Sequence, residues 1–173
     1  IQPEEPREAA MNFLDKKTAK STPITPVNTE TLQSWLKQQD EKTRSWVAAS
    51  GFTGGEGSLL SLPDDKGGIA RVLFGAGKDD SLYTYADLPA KLPKNAAGYY
   101  IDKKMSDDRA TQAALGWALG SYQFTDYKPS KKRDFAKLVW PANADRKAVK
   151  ATAEATFLVR DLVNIPANDL GPE

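Results

Sequence analysis

Neither cysteine nor histidine occurs among the 173 residues of this sequence. Without them the chain cannot form a Ser-His or Cys-His nucleophilic centre, or a zinc site with imidazole or thiolate ligands. Only carboxylates, lysine, serine, threonine and tyrosine remain for chemistry, which argues against catalysis within this sequence. The absence of cysteine fits a reducing compartment, but it suits many secreted bacterial proteins as well.

The sequence also lacks long apolar runs and a strong net charge. No run approaches the ~18 residues of a membrane-spanning helix, and no signal-peptide core is visible. The net charge of +1 gives no electrostatic reason to expect a nucleic acid or an acidic membrane as a partner. We therefore expect neither a membrane partner nor nucleic-acid binding.

What is present suits one folded domain. The length fits the ~100–200 residues of a typical domain, and the 40% hydrophobic residues, with four Trp and six Phe, can form a core. The first ten residues are charged and contain proline. Since Met11 is a plausible native start, we predict that residues 1–12 are disordered or a vector-derived lead.

Strand and helix patterns alternate along the chain. Strands are predicted over residues 21–28, 58–62, 69–74, 98–102 and 135–140, and helices near 32–36, 46–47, 82–92, 107–122 and 144–165. Pro23 and Pro26 should confine the first strand to a sheet edge or to irregular pairing, while Ser106 and Asn143 should cap the last two helices. The fold class predicted is α/β, a three-layer sandwich with a mixed β-sheet flanked by helices.

The end of the chain is unusual. Apolar residues recur at helical spacing from Ala148 to Val163, which predicts a long helix. Pro166 should end this helix at Ile165. The segment after it is still apolar at Leu170, unlike a disordered polar tail, and this favours a connection to a further folded unit.

The run from Arg160 to Glu173, RDLVNIPANDLGPE, resembles the interdomain junction of the leucyl aminopeptidase family, the two-metal exopeptidases of the cytosol. Weaker likenesses lie upstream, at Pro23–Val27, Trp35–Leu36, Gly51–Phe52, Leu73–Gly75, Leu88–Pro93 and Leu115–Tyr122. The resemblance implies a macro-domain-like N-terminal α/β domain over residues 13–163. Residues 164–173 would be the junction to an absent catalytic domain.

The same resemblance implies a cytoplasmic location and a reaction for the parent enzyme. It would remove N-terminal amino acids from peptides with two divalent metals, Mn or Zn, held by Lys, Asp and Glu residues of the second domain, including an Asn-Thr-Asp-Ala-Glu-Gly-Arg motif. That motif is absent here, so we predict no catalytic, cofactor-binding or metal residue in this sequence. The implied partners are peptide substrates, the chain's own catalytic domain and further copies in a hexamer, whose assembly and active-site access this domain would support.

Two glycine-rich stretches could be taken for phosphate loops. Gly75-Ala76-Gly77 follows a strand, but the third glycine of a dinucleotide fingerprint is replaced by Asp80. Gly54-Gly55-Glu56-Gly57 carries an acidic residue within the loop. Because macro domains bind ADP-ribose, the alternative function is a free-standing macro-like module for ADP-ribose or nucleotide, but an anion in either loop would meet like charge.

Three further groups have an ordinary structural interpretation. The pairs Asp64-Asp65, Asp79-Asp80 and Asp107-Asp108 could ligate metals, but turn and helix-start chemistry explains adjacent carboxylates better. Some members of the family bind DNA, yet the basic loop of Lys128, Lys131, Lys132 and Arg133 favours a solvated surface. Tyr83, Tyr85, Tyr99, Tyr100 and Tyr122 could line a pocket, and core packing is the default for them.

Overall fold

The computed structural model describes residues 11–78, 81–125, 127 and 133–169. The elements in chain order are β1 (Phe13–Leu14), β2 (Thr22–Val27), α1 (Thr31–Leu36), α2 (Glu41–Ala49), β3 (Leu59–Pro63), β4 (Ile69–Gly75), α3 (Leu88–Lys91), β5 (Tyr99–Ile101), α4 (Asp107–Gly120), β6 (Leu138–Val139) and α5 (Arg146–Asn164), followed by a 3-10 turn at Ala167–Asp169. Within these residues, no helix is both long and apolar enough to cross a membrane.

The strands form one six-stranded mixed sheet in the order β1-β6-β5-β2-β4-β3. β3 and β4 are consecutive strands that pair antiparallel, and the other neighbouring strands pair parallel. On one face, Leu32 of α1 and Val47 of α2 pack against Leu73. On the other face, Leu88 of α3 and Trp117 of α4 pack against the sheet. The predicted α/β sandwich with helices on both faces is confirmed.

The position of β2 corrects one expectation, because this proline-containing strand is central and lies between β5 and β4. Alternate residues of a strand direct their backbone groups to opposite neighbours. The Ile24 carbonyl accepts from Asp102 on the β5 side, so Pro26 faces the same side, where β5 has already ended at Ile101. Pro23 faces β4, whose pairing with β2 begins one residue later. Neither missing N–H therefore costs the sheet a hydrogen bond.

Two predicted elements are shorter than expected. The strand predicted over residues 135–140 is regular only at β6, because the Ala136 N–H donates to the Pro89 carbonyl of α3 instead of to a strand. The helix predicted over 82–92 is reduced to α3, and residues 82–87 form turns. These turns are the surface on which α4 rests.

Helix α4 lies between the sheet and α5. Its Ala113 and Trp117 belong to the core on the sheet side, while Ala114 and Ala118 pack with α5. A Cβ atom at Gly120 would lie 1.7 Å from the Ala86 carbonyl oxygen, and one at Gly116 would lie 2.1 Å from that of Leu82. Both positions therefore need glycine, because α4 lies directly against the backbone of the preceding turn.

The predicted lead falls mostly on residues 1–10, which lie outside the described residues. Met11 is fully buried in the core beside α5, and the Asn12 carbonyl accepts from the Leu138 N–H. Residues 11 and 12 are therefore packed with the domain.

Candidate functional site: the junction at the end of the last helix

Helix α5 leads into the junction, and its first turns are fixed on α4. The Asp145 carboxylate accepts from the Ala148 N–H at 2.9 Å and caps the helix. The prediction of Asn143 as the cap is wrong, because its side-chain amide donates to the Met105 carbonyl and to Asp107 instead. Further along α5, the buried residues are Val149, Ala153 and Phe157. This apolar face holds the helix against the domain.

The last two turns of α5 are held by polar contacts, which we call the anchor cluster: Arg160, Asp161 and Asn164 with Tyr122. The Arg160 guanidinium donates to the Leu119 carbonyl at the end of α4 (2.9 Å). The Tyr122 hydroxyl donates to the Asp161 carboxylate (2.8 Å) and accepts from the Asn164 amide (3.2 Å). Burial, and next the Asp161 carboxylate, raises the pKa of the Tyr122 hydroxyl, so this group stays protonated and remains a donor.

The helix ends where the sequence predicted. Ile165, the residue before Pro166, is extended (φ −72°, ψ 127°), as proline requires of its predecessor. The chain then makes the 3-10 turn, and the Tyr127 hydroxyl donates to the Asp169 carboxylate at 2.6 Å. Leu170, also part of the predicted connection, lies outside the described residues. The junction thus leaves the domain in a defined direction.

The opposite side of α5 is apolar and exposed. Leu158, Val159, Leu162 and Val163, which we call the outer strip, have relative exposures of 44%, 59%, 47% and 79%. The exposed residues Ala148, Ala151 and Ala155 continue this face toward the start of the helix. The apolar spacing that predicted α5 therefore lies largely on its outer face, and the buried face uses other residues.

The glycine-rich stretches meet, but their packing explains them. A Cβ atom at Gly75 would lie 1.7 Å from the Gly55 carbonyl oxygen. Amides that a phosphate would need are already used: Gly57 N–H donates to Gly75, Gly75 N–H to Ser58, Ser58 N–H to Gly55 and Ala76 N–H to Val27. Glycine is needed here because two backbone segments touch.

A cavity of about 310 Å³ beside these loops is lined by Asn28, Thr29, Gly54, Gly55, Glu56, Gly77 and Lys78. The Lys78 ammonium lies 2.6 Å from the Glu30 carboxylate, so its charge is already paired. The Glu56 carboxylate also lines the cavity, while Asp79 and Asp80 lie outside the described residues. With Lys78 paired to Glu30 and the Glu56 carboxylate unneutralised by a lining cation, the cavity should repel anions.

We expect no binding of ADP-ribose or mononucleotides by this chain, because the amides of Gly57, Ser58, Gly75 and Ala76 already donate to backbone carbonyls and the cavity carries the Glu56 carboxylate. Calorimetric titration up to about 1 mM ligand should show no saturable heat, with an established ADP-ribose-binding domain titrated as the positive control. One-to-one binding at micromolar affinity that Lys78→Glu abolishes would contradict this interpretation of the loops.

The aspartate pairs serve local structure where they are described. One oxygen of Asp64 accepts from the N–H groups of Lys66 and Gly68 in the hairpin turn, and Asp65 pairs with Lys42. Asp107 stands in the first turn of α4. Among the described residues, no three carboxylates converge on a point that could hold a metal ion.

The described members of the basic loop and of the tyrosine group do not come together in one site. Lys128, Lys131 and Lys132 lie outside the described residues, while Arg133 donates to the Ala90 carbonyl. The tyrosines do not line one pocket: Tyr85 and Tyr99 are buried on the sheet side of α4, Tyr122 packs beside α5, Tyr83 is 65% exposed, and the Lys17 ammonium covers the ring of Tyr100. Core packing is confirmed for Tyr85 and Tyr99.

Comparison with known sequences identifies the family to which this domain belongs. The family described as M17 aminopeptidase, N-terminal domain, matches residues 22–141. A probable cytosol aminopeptidase of Leifsonia xyli is 33% identical over 141 residues, which cover 73% of this chain and 28% of that protein. A second, from Streptomyces griseus, is 30% identical, over 79% of this chain and 33% of that protein. The chain thus spans about a third of the length of these relatives.

Solved structures agree with this assignment. The cytosol aminopeptidase of Coxiella burnetii matches with a TM-score of 0.83 and 36% identity, over 92% of this chain and 35% of that one. Tomato leucine aminopeptidase, at 18% identity and a TM-score of 0.64 over 99% of this chain and 41% of that one, shares the fold. The resemblance first indicated by the junction is therefore confirmed, and the chain belongs to the M17 aminopeptidase family, in which it corresponds to the N-terminal domain.

Proposed function

We propose that this chain is the non-catalytic N-terminal domain of a longer aminopeptidase that removes N-terminal amino acids from peptides by two-metal hydrolysis. One observation carries the proposal: the Coxiella aminopeptidase match covers 92% of this chain but only 35% of that enzyme. A match that covers nearly all of this chain but only about a third of the enzyme supports the interpretation that this chain is one domain of a larger protein. The relatives' names, cytosol aminopeptidases, support the peptidase activity and a cytoplasmic location.

The described residues do not fit a two-metal centre. They contain no cluster of three His, Cys, Asp or Glu side chains, and a two-metal site needs several carboxylate oxygens that converge. We therefore derive no catalytic step from this domain. Two divalent metals, manganese or zinc, would be held by the second domain, and they would supply the polarisation of the peptide carbonyl and the activation of a water.

The domain's own work is structural in this proposal. Residues 13–163 would form the folded unit, with residues 11 and 12 packed against it. Residues 164–173 would form the junction to the catalytic domain. The anchor cluster and the contact of Tyr127 with Asp169 support this division, because they fix the direction in which the chain leaves. A domain held in this way can support assembly of a homo-oligomer, a hexamer, and limit access of peptide substrates to the active sites.

We expect the 173-residue chain to have no peptidase activity, with or without added manganese or zinc. The product of the coding sequence extended beyond Glu173 should cleave a leucine anilide, and a chelator should abolish that cleavage. The two proteins should be assayed at equal concentration and with the same metals. Metal-dependent cleavage by a clean preparation of the short chain, or a stop codon directly after Glu173, would contradict the proposal.

A further inference from the structure

The outer strip is the largest concentration of exposed apolar side chains in the described part of the chain. Seven large hydrophobic residues are exposed in that part, and four of them, Leu158, Val159, Leu162 and Val163, fall within six positions. Single exposed apolar residues are normal on a protein surface, whereas contiguous ones mark an interaction surface. The remaining three are Trp46 and Tyr83, which belong to other elements, and Tyr127, which bonds to Asp169 in the turn after α5.

The strip cannot bury itself by rotation of the helix. With about 100° per residue, its four side chains span roughly 140° of the helix circumference. The buried Phe157 and the anchor cluster residues Arg160, Asp161 and Asn164 lie on the opposite side. Turning the strip inward would break the hydrogen bonds of the anchor cluster and expose Phe157. The domain therefore holds the strip outward.

We propose that the outer strip is the docking surface for the polypeptide beyond residue 173, the chain's own catalytic domain. This inference rests on the proposed function. The relatives extend well beyond the matched portion, since this chain covers only 28% to 35% of three of them. The strip lies on the last helix, directly before the junction. A domain on the far side of the junction therefore emerges beside the strip.

Tethering favours this occupant over a second copy. Ten residues lead from Val163 to Glu173, and even a fully extended chain of that length reaches only about 35 Å. A domain on so short a tether has an effective concentration in the millimolar range. A free second copy at micromolar concentration would need about 1,000-fold higher affinity to occupy the strip to the same extent.

The composition of the outer face indicates how the two domains meet. Toward the start of α5 the same face carries the small exposed residues Ala148, Ala151, Thr152 and Ala155, which let another backbone approach closely. Toward its end the larger side chains of the strip can insert between partner side chains. The partner surface must be apolar, because the side chains of the strip offer no charge or hydrogen-bonding group.

The test uses Leu162→Glu, with Tyr83→Glu as the matched control, in the 173-residue chain and in the protein extended beyond Glu173. Tyr83 is also a large exposed residue, at 65%, but it lies away from α5. In the short chain, neither substitution should shift the thermal midpoint by more than about 2 °C. In the extended protein, Leu162→Glu should speed proteolytic cleavage within residues 164–173 by about 10- to 100-fold. Tyr83→Glu and Leu162→Met should leave this rate near that of the unsubstituted protein.

Three other results would each contradict a different part of the proposal. Equal cleavage rates for Leu162→Glu and Tyr83→Glu in an extended protein that remains an active peptidase would overturn the docking surface and leave the proposed function standing. A short chain that sediments as a dimer, and as a monomer after Leu162→Glu, would assign the strip to a second copy and overturn the inference. An extended coding sequence without peptidase activity would remove the proposed function on which the inference rests.

Discussion

Replacing Gly120 with alanine should destabilise the domain by about 3 kcal/mol or more, although alanine is the better helix former. Helix propensity alone would favour the substitution by about 1 kcal/mol. The new Cβ atom, however, would lie 1.7 Å from the Ala86 carbonyl oxygen and 2.6 Å from its carbon. Both contacts are with backbone, so neither can be relieved by turning a side chain, and α4 must move off the preceding turn. The free energy of unfolding from urea titration measures the effect.

Gly51→Ala is the matched control for this prediction. Gly51 has a φ of +66°, and nothing lies within 4 Å of a Cβ built there. Alanine at this position therefore meets backbone strain without a steric clash, which costs about 1–2 kcal/mol. If Gly120→Ala proves no more destabilising than Gly51→Ala, then α4 does not rest on the turn as closely as described.

Gly116 and Gly120 show which part of the packing can be predicted from the sequence and which part cannot. Two glycines inside a helical pattern, Gly116 and Gly120, indicate close packing, because their cost in helix propensity needs compensation. The partner of that packing was not predictable, since Ala86 lies 34 positions before Gly120 and no local pattern connects them. The segment that contains Ala86 was predicted as helix, whereas it forms the turns that α4 covers.

The prolines of β2 show that a correct local rule can lead to a wrong position of the strand in the sheet. The local rule that proline cannot donate to a sheet holds at Pro23 and Pro26, but the conclusion that it confines the strand to an edge or to irregular pairing was wrong. Whether a missing N–H matters depends on where the neighbouring strands start and stop, and β4 and β5 leave both positions unpaired on the relevant side. Strand register is a property of the assembled sheet, and one strand's sequence does not contain it.

The junction was predictable because its signal is contiguous along the chain. A helical pattern, a proline and an apolar continuation are all present in one run from Arg160 to Leu170. The anchor cluster that orients the junction was not predictable, since Tyr122 lies 39 and 42 positions from its partners Asp161 and Asn164. Tyr122 was instead considered as part of an aromatic pocket, and its hydroxyl serves the helix end.

Phe157→Ala and Leu158→Ala form an adjacent pair on α5 with very different expected costs. Phe157 is 4% exposed and its ring lies 5.4 Å from that of Tyr122. Removing it leaves a cavity between α5 and α4, which should cost about 3–5 kcal/mol of unfolding free energy. Leu158 is 44% exposed, so truncating it in the 173-residue chain should cost about 0.5 kcal/mol or less. Urea unfolding of both variants measures the difference.

The same pair separates internal packing from docking when the protein is extended beyond Glu173. The loss of unfolding free energy caused by Phe157→Ala should be similar in the 173-residue chain and in the extended protein, because the contacts of Phe157 lie within the domain. The Leu158 cost should rise by about 1–2 kcal/mol in the extended protein, since the side chain would then be buried against the docked domain. Equal costs for Leu158→Ala in the two lengths would show that the outer strip stays exposed to solvent. A small cost for Phe157→Ala in the short chain would mean that α5 is not held on α4 by its buried face, and the direction given to the junction would lose its support.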